Sequence, residues 1–366
     1  MSDSGRHWIV GCLAILCTMC GCSPSVRNRY CVKYTIDHVP ILLPDGEELC
    51  RPEDGHAAAI SCIRVAPDDC TFVSGDYGGV VKQWALSSGR FIRQAITPDG
   101  EAVRALAFSG DGRFLVVVSG YCGQAHLSVL RASTLDYLYT WIMEDGSEAL
   151  AVSPDGLAIA VGARLPTNAP PLMIEGRTVR IFSRNGAIDM TTAGRSQYLV
   201  VTAESAECRG WGDGELRNSL VVPSLPTRIA AYRSGFVVAG RNGPDYGYLG
   251  IAERVSEGGI AFLLKGELPG LHDVAAAEAV QTLVTLDYSG TVSVWNSRSG
   301  KIIQQFPMPS SVGKTPGRLA MSHDGKYIIR GIRGRDALMR GGGLCVYRMC
   351  DGTPIDESSE SGKKGQ

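Results

Sequence analysis

The sequence predicts an all-β chain of seven small antiparallel sheets set around an axis. Three observations carry the prediction. Composition suits short strands and tight turns better than long helices: among 366 residues there are 45 glycines, hydrophobics make up 44% and charged residues only 20%. A unit of about 40 residues recurs along the chain, the period of a repeat architecture. Two distant stretches, 75–92 and 286–303, read nearly alike, as "GDYGGVVKQWALSSGRFI" and "LDYSGTVSVWNSRSGKII".

Each unit has an apolar alternating run, a turn of the form Ser-x-Asp-Gly, a second run, a loop, a third run with an aromatic near its end, and a glycine turn into a fourth. The first turn is explicit in "APDDCTFVSG" (66–75), "SGDGRFLVVVSG" (109–120), "SPDGLAIAVG" (153–162) and "SHDGKYIIRG" (322–331). Weaker copies are "AGRSQYLVV" (193–201), "YRSGFVVAG" (232–240) and "AEAVQTLVTLD" (277–287), which makes seven. Asp-Gly between alternating runs marks a hairpin, because the turns it favours match the twist of paired strands. Four short strands cannot bury two faces alone, but stacked around an axis they can, so the fold expected is a β-propeller of four-stranded blades.

The motif resembles the WD-repeat family. Gly55-His56 stands ahead of Trp84, and Ser87-Ser88-Gly89-Arg90 closes the repeat. The resemblance covers roughly residues 55–350 and implies a buried polar brace of His56, a strand hydroxyl, a turn Asp and Trp84. Trp295 takes the matching place in the sixth unit, and Trp211 is a further structural tryptophan. The family pattern places the turn Asp at Gly78 and Ser289, whereas Asp76 and Asp287 lie two residues earlier, so the acid of the brace is unmatched.

One junction fits poorly. Only about sixteen residues separate Phe182 from Tyr198 where other junctions take about thirty, so a missing strand and an irregular 183–215 are expected there, with six blades as the alternative. The ring must also close, since an open one leaves two unpaired strand edges. A strand within residues 30–43 is expected to supply the outer strand of the last blade. That would bring Cys31 or Cys50 toward Cys345 or Cys350.

The chain divides into residues 1–21 as an export signal, 22–54 as linker and closing strand, 55–355 as propeller, and 356–366 as a disordered tail. The apolar start from Trp8 falls short of the ~20 residues that cross a bilayer. Met19-Cys20-Gly21-Cys22 resembles the lipobox of bacterial lipoproteins, although the family usually carries Leu and a small residue where Met19 and Cys20 stand. The resemblance implies lipidation of Cys22, a place in the cell envelope and, from Ser23, an outer-membrane destination. Ordinary secretion is the second outcome and a cytosolic protein the third. Eight cysteines follow Cys22; the even count permits disulfides, but sequence cannot choose among their 105 pairings.

A net charge of −1 gives no basic excess for nucleic acid. No metal-ligand spacing, nucleotide-binding loop or nucleophile elbow appears, so no cofactor or metal is expected and catalysis has no motif to support it. Insertions instead concentrate between strands two and three, on the face that also carries the blade-to-blade links: 119–125, 164–177, 241–250 and 333–343. They nominate Tyr121, Met173, Tyr246 and Tyr248 as a contact rim. Arg333, Arg335 and Arg340, set among glycines, add a candidate contact for acidic groups. The leading expectation is a monomeric, lipid-anchored module that binds a protein or an envelope polymer. The rival is a lactonase-like or quinoprotein-like enzyme or small-ligand binder. Three or more titratable groups converging at one mouth of the channel would favour that rival.

Overall fold

A computed structural model describes residues 30–36, 55–121, 124–144, 147–163, 172–222, 225–232, 235–241, 246–252, 261–268, 270–277, 282–297, 300–306, 317–332 and 340–349. Ahead of the first blade come β1 (Tyr30–Ile36) and β2 (His56–Ala58). Blade one is β3 (Ile60–Val65), β4 (Thr71–Asp76), β5 (Val80–Ala85) and β6 (Phe91–Ile96). Blade two is β7 (Val103–Phe108), β8 (Phe114–Tyr121), β9 (Gln124–Arg131) and β10 (Tyr137–Met143). Blade three is β11 (Leu150–Val152), β12 (Ala158–Val161), β13 (Leu172–Ile174) and β14 (Arg177–Ser183). Blade four is β15 (Asp189–Ala193), β16 (Gln197–Val201), β17 (Ser205–Gly210) and β18 (Leu216–Val221). Blade five is β19 (Pro226–Tyr232), β20 (Gly235–Arg241), β21 (Gly247–Ala252) and β22 (Ala261–Leu268). Blade six is β23 (Leu271–Ala277), β24 (Thr282–Asp287), β25 (Val292–Asn296) and β26 (Lys301–Phe306). Blade seven is β27 (Arg318–Met321), β28 (Tyr327–Ile332) and β29 (Arg340–Met349), completed by β1.

The first strands of successive blades pack side by side all the way round, β27 returning to β3, and they line the channel. Seven apolar clusters follow, one at each junction between neighbouring blades. This explains the continuous apolar runs. In "FLVVV", Leu115 and Val117 pack toward blade one while Phe114, Val116 and Val118 pack toward blade three. Both faces of the sheet are buried, so alternation in direction leaves no alternation in polarity.

The repeating turn has a local cause. In blades two, three and seven the serine hydroxyl donates to the aspartate two residues on (Ser109 to Asp111 2.6 Å, Ser153 to Asp155 2.6 Å, Ser322 to Asp324 2.7 Å). The same oxygen accepts the amide that opens the second strand, from Phe114, Ala158 and Tyr327. The following glycines take φ near +70° (Gly112 70°, Gly156 72°, Gly325 72°), which a side chain would disfavour. Blade one uses Asp69 there instead, at φ 53°. Asp69 caps the turn of blade seven, accepting from the His323 amide (2.8 Å) and the Asp324 amide (2.8 Å).

Closure follows the expected route: β1 pairs antiparallel with β29 as the outer strand of blade seven. Of the expected cysteine pairings the register rules out Cys31 with Cys345: Cys31 stands opposite Arg348 and Cys345 opposite Thr35, which separates the two positions by roughly 10 Å along the strands, beyond disulfide reach. Cys50 and Cys350 lie outside the described residues.

The expected gap between Phe182 and Tyr198 is also corrected. Blade four is regular, with spatial order β15-β16-β17-β18, and there are seven blades rather than six. The irregularity sits in blade three, ordered β11-β12-β14-β13, where β14 runs parallel to β12 and β13 is outermost. An ordinary third strand would have to start within 164–171, where Pro166, Pro170 and Pro171 lack the N–H a ladder needs. The chain instead crosses to the outer position and returns through the Glu175-Gly176 turn. It then leaves from the third place, so the next blade begins after a short link.

The brace of blade one is complete, and its acid is Asp76. The Trp84 indole N–H donates to Ser74 Oγ (2.8 Å), Ser74 meets His56 Nε2 (2.7 Å), and His56 Nδ1 meets Asp76 Oδ2 (2.7 Å). Asp76 Oδ1 takes the amides of Gly78 (2.9 Å) and Val80 (2.9 Å), which leaves Oδ2 aimed at the histidine. Counting along the sequence misplaced this acid because it sits at the end of the strand and not within the turn. In blade six Trp295 donates to Thr285 Oγ1 (2.8 Å), and Asp287 Oδ1 accepts the Thr291 amide (2.8 Å). Trp211 lies elsewhere in its blade, buried against Tyr198 with ring centroids 4.4 Å apart.

His56→Ala removes the partner of a carboxylate that is 1% exposed and should cost about 3 kcal/mol, measured as a fall in the urea midpoint of unfolding. An unchanged midpoint would show that the brace contributes nothing to stability.

Candidate functional site

Ionisable side chains from all seven blades meet in the channel. Near the start of the first strand, four successive blades carry Asp189, Arg228, Asp273 and Arg318, alternating in sign. Blade three adds Glu148 just before β11, blade two adds Arg104, and blade one adds Arg64. Glu148 is the hub. Its Oε2 accepts from Arg318 Nη2 (2.6 Å) and Arg228 Nη2 (2.8 Å), and its Oε1 stands 3.4 Å from Arg104 Nη2. One carboxylate therefore ties blade three to blades two, five and seven across the axis. First strands run away from the link-side face, so all of these groups but Arg64, which stands fifth of the six residues of β3, gather at that mouth of the channel.

The two buried aspartates are held mainly by backbone. Asp189 Oδ2 accepts the Ile229 amide (3.0 Å), and Asp273 Oδ2 accepts the Leu319 amide (3.0 Å), each stitching one first strand to the next. Asp273 Oδ1 takes the Val274 amide (2.9 Å) and lies 3.7 Å from Arg228 Nε. Burial pushes the Asp273 carboxyl up to about 6 against the opposing pull of Arg228, and it raises Asp189 in the same way. Burial by itself would lower Arg228, but Asp189, Asp273 and Glu148 together carry it above the ordinary guanidinium value. Cys62, at the same level in blade one, is pushed up by burial to about 11 and stays a thiol.

A second polar group lies at the link-side end of blade two. Ser119 pairs across the strands with His126, and Glu101 Oε2 lies 3.7 Å from His126 Nδ1. Ser119 Oγ, His126 Nδ1 and Glu101 Oε2 are buried without hydrogen-bond partners. Ser119 is 0% exposed and reaches no solvent, so the trio is not an open nucleophile site.

The expected rim is only partly assembled. Tyr246, just ahead of β21, is 54% exposed, as are Val221 (85%), which ends the outer strand of blade four, and Leu225 (51%), in the link that follows. Sequence reading missed these two because neither sits in an insertion. Tyr248 points inward, buried between blades four and five, with its phenol filling the space that Gly240 leaves by having no side chain. It offers no surface contact. Met173 is 43% exposed but lies on the outer strand of blade three, away from the rim. Tyr121 ends β8 at the link-side face, and Arg340 opens β29 opposite Ala58. Arg333, Arg335 and Cys22 lie outside the described residues, as do the side chains of Tyr121 and Arg340. Among the described residues, no group of three or more His, Cys, Asp or Glu is placed to hold a metal ion.

The WD40 family model (WD domain, G-beta repeat) matches residues 48–85, the stretch that holds His56, Asp76 and Trp84. The crystal structure of RRP9 WD40 repeats superposes with a TM-score of 0.60 at 17% identity, covering 81% of this chain and 96% of that one. No curated protein matches the sequence.

The Asp273 shift sets a pH dependence. A carboxyl whose folded pKa lies above its unfolded value of 3.8 favours folding most below pH 4, and this contribution is lost as pH rises through about 6. The stability of Asp273→Asn relative to the parent should therefore improve between pH 4 and pH 7 in thermal melts. A difference that stays constant with pH would contradict the assignment.

Proposed function

We propose that this chain, a WD-repeat β-propeller, is a recognition module that docks a protein partner on its link-side face. The observation that supports the reading most directly is the exposed apolar trio Val221, Leu225 and Tyr246, set on one rim above a mouth lined with charge. Exposed aromatic side chains and arginines are enriched at interaction surfaces, and the two aliphatic neighbours add apolar area to bury. Val221 ends β18, and Leu225 and Tyr246 stand immediately before β19 and β21, so paired strands hold them and little ordering entropy opposes binding. The lipobox-like Met19-Cys20-Gly21-Cys22 supports a lipid-anchored chain that works in the cell envelope. The convergence of charge in the channel favours a second reading, a small-ligand site there.

Val221→Asp with Leu225→Asp and Tyr246→Ala should weaken capture of the membrane-derived partner more than tenfold while leaving the melting temperature within about 2 °C. Undiminished capture would remove the rim from the account. Cys22→Ala should move the protein from the membrane to the soluble fraction; retention at the membrane would remove the lipid anchor.

A further inference from the structure

Among the described residues the channel holds more cation than anion: Arg64, Arg104, Arg228 and Arg318 gather with Glu148, Asp189 and Asp273, an excess of one positive charge in a largely desolvated space. The supply of acceptors is shorter still. Both Asp273 oxygens accept backbone amides, one Asp189 oxygen does the same, and Glu148 Oε2 already serves two guanidiniums. Arg318 shows the deficit directly. Its Nε donates to the Ser61 carbonyl and its Nη2 to Glu148, while its Nη1 is buried with no acceptor. A guanidinium normally has all its donors met when buried, so an unmet one marks a place where an acceptor belongs.

We propose that the link-side mouth of the channel binds one oxyanion group, a carboxylate or a phosphate, against Arg318 Nη1 with Arg104 beside it. The group neutralises the surplus charge and supplies the missing acceptor oxygens in the planar fork that arginine prefers. Access is from the link-side face, where the side chains of Arg104 and Glu148 are 23% and 30% exposed while that of Arg318 is 11%. Glu148 competes for the same guanidiniums, so it sets the affinity: it holds the arginines together when the site is empty and shares them when an anion arrives. The proposal develops the channel reading and does not depend on rim docking.

The test is thermal unfolding of the whole chain titrated with inorganic phosphate, succinate or an acidic peptide at fixed ionic strength, with chloride as the balancing ion. Saturable stabilisation by phosphate or succinate is expected, weakened at least tenfold in Arg318→Met and tightened severalfold in Glu148→Gln. Stabilisation by the peptide alone would identify the anion as a partner's acidic side chain and would still support the site. No saturable stabilisation by any of the three, or full retention of it in Arg318→Met, overturns the proposal. If Arg318→Met does not fold, Arg104→Gln and Glu148→Gln decide by moving affinity in opposite directions. The triple rim variant should leave phosphate stabilisation unchanged, which separates failure here from failure of the docking face.

Discussion

No blade of this protein can bury its own faces. A four-stranded sheet with apolar side chains on both sides gains only by lying against the next, and the seven apolar clusters fall one to each junction. Each holds eight or more buried side chains, and at about 1.5–3 kcal/mol for each large apolar one, even the smallest junction, with Met190, Tyr198, Val200 and Trp211, is worth roughly 6–12 kcal/mol before entropy is counted. The hydrogen-bonded brace of blade one adds a few kcal/mol at most. Stacking sets the fold, and the brace sets the geometry of one edge. Because stacking needs a neighbour on both sides, the ring must close, and β1 on β29 closes it.

That hierarchy explains what was legible in the sequence. Hairpin chemistry is local, so Ser109-Gly110-Asp111-Gly112 and its copies announce themselves wherever they occur. Burial on both faces writes runs such as "FLVVV", and the period follows from counting them. Strand order is not local. Nothing in the composition of 177–183 says that this segment lies inside 172–174; only the prolines at 166, 170 and 171 hint that the usual third strand cannot form there. The acid of the brace was misplaced for a similar reason. Asp76 serves from the end of its strand, and the backbone amides of Gly78 and Val80 fix which oxygen turns inward.

The channel network was invisible for a different reason. Its members are spaced about one repeat apart, each a single charged residue in or just before an apolar strand, and only ring closure makes neighbours of them. Glu148 and Arg318 are far apart in the chain yet share a hydrogen bond of 2.6 Å. Burying such charges opposes folding unless each is matched, and the raised Asp273 carboxyl records that cost. A core built for stability alone would place apolar residues here, as Cys62, Ala105 and Ala149 do elsewhere in the ring. The Tyr248 expectation failed because a tyrosine in an insertion reads as surface, whereas the facing Gly240 opens an interior place for it.

The closing strand is the claim on which the ring, the channel and the link-side face all rest. Amide hydrogen exchange over residues 343–349, compared between the full chain and one starting at residue 37, tests it most directly. The account predicts that these amides exchange at least about a hundredfold faster once β1 is gone, while those of blades two to five change far less. Equal protection of 343–349 in both chains would mean that β1 does not close the ring.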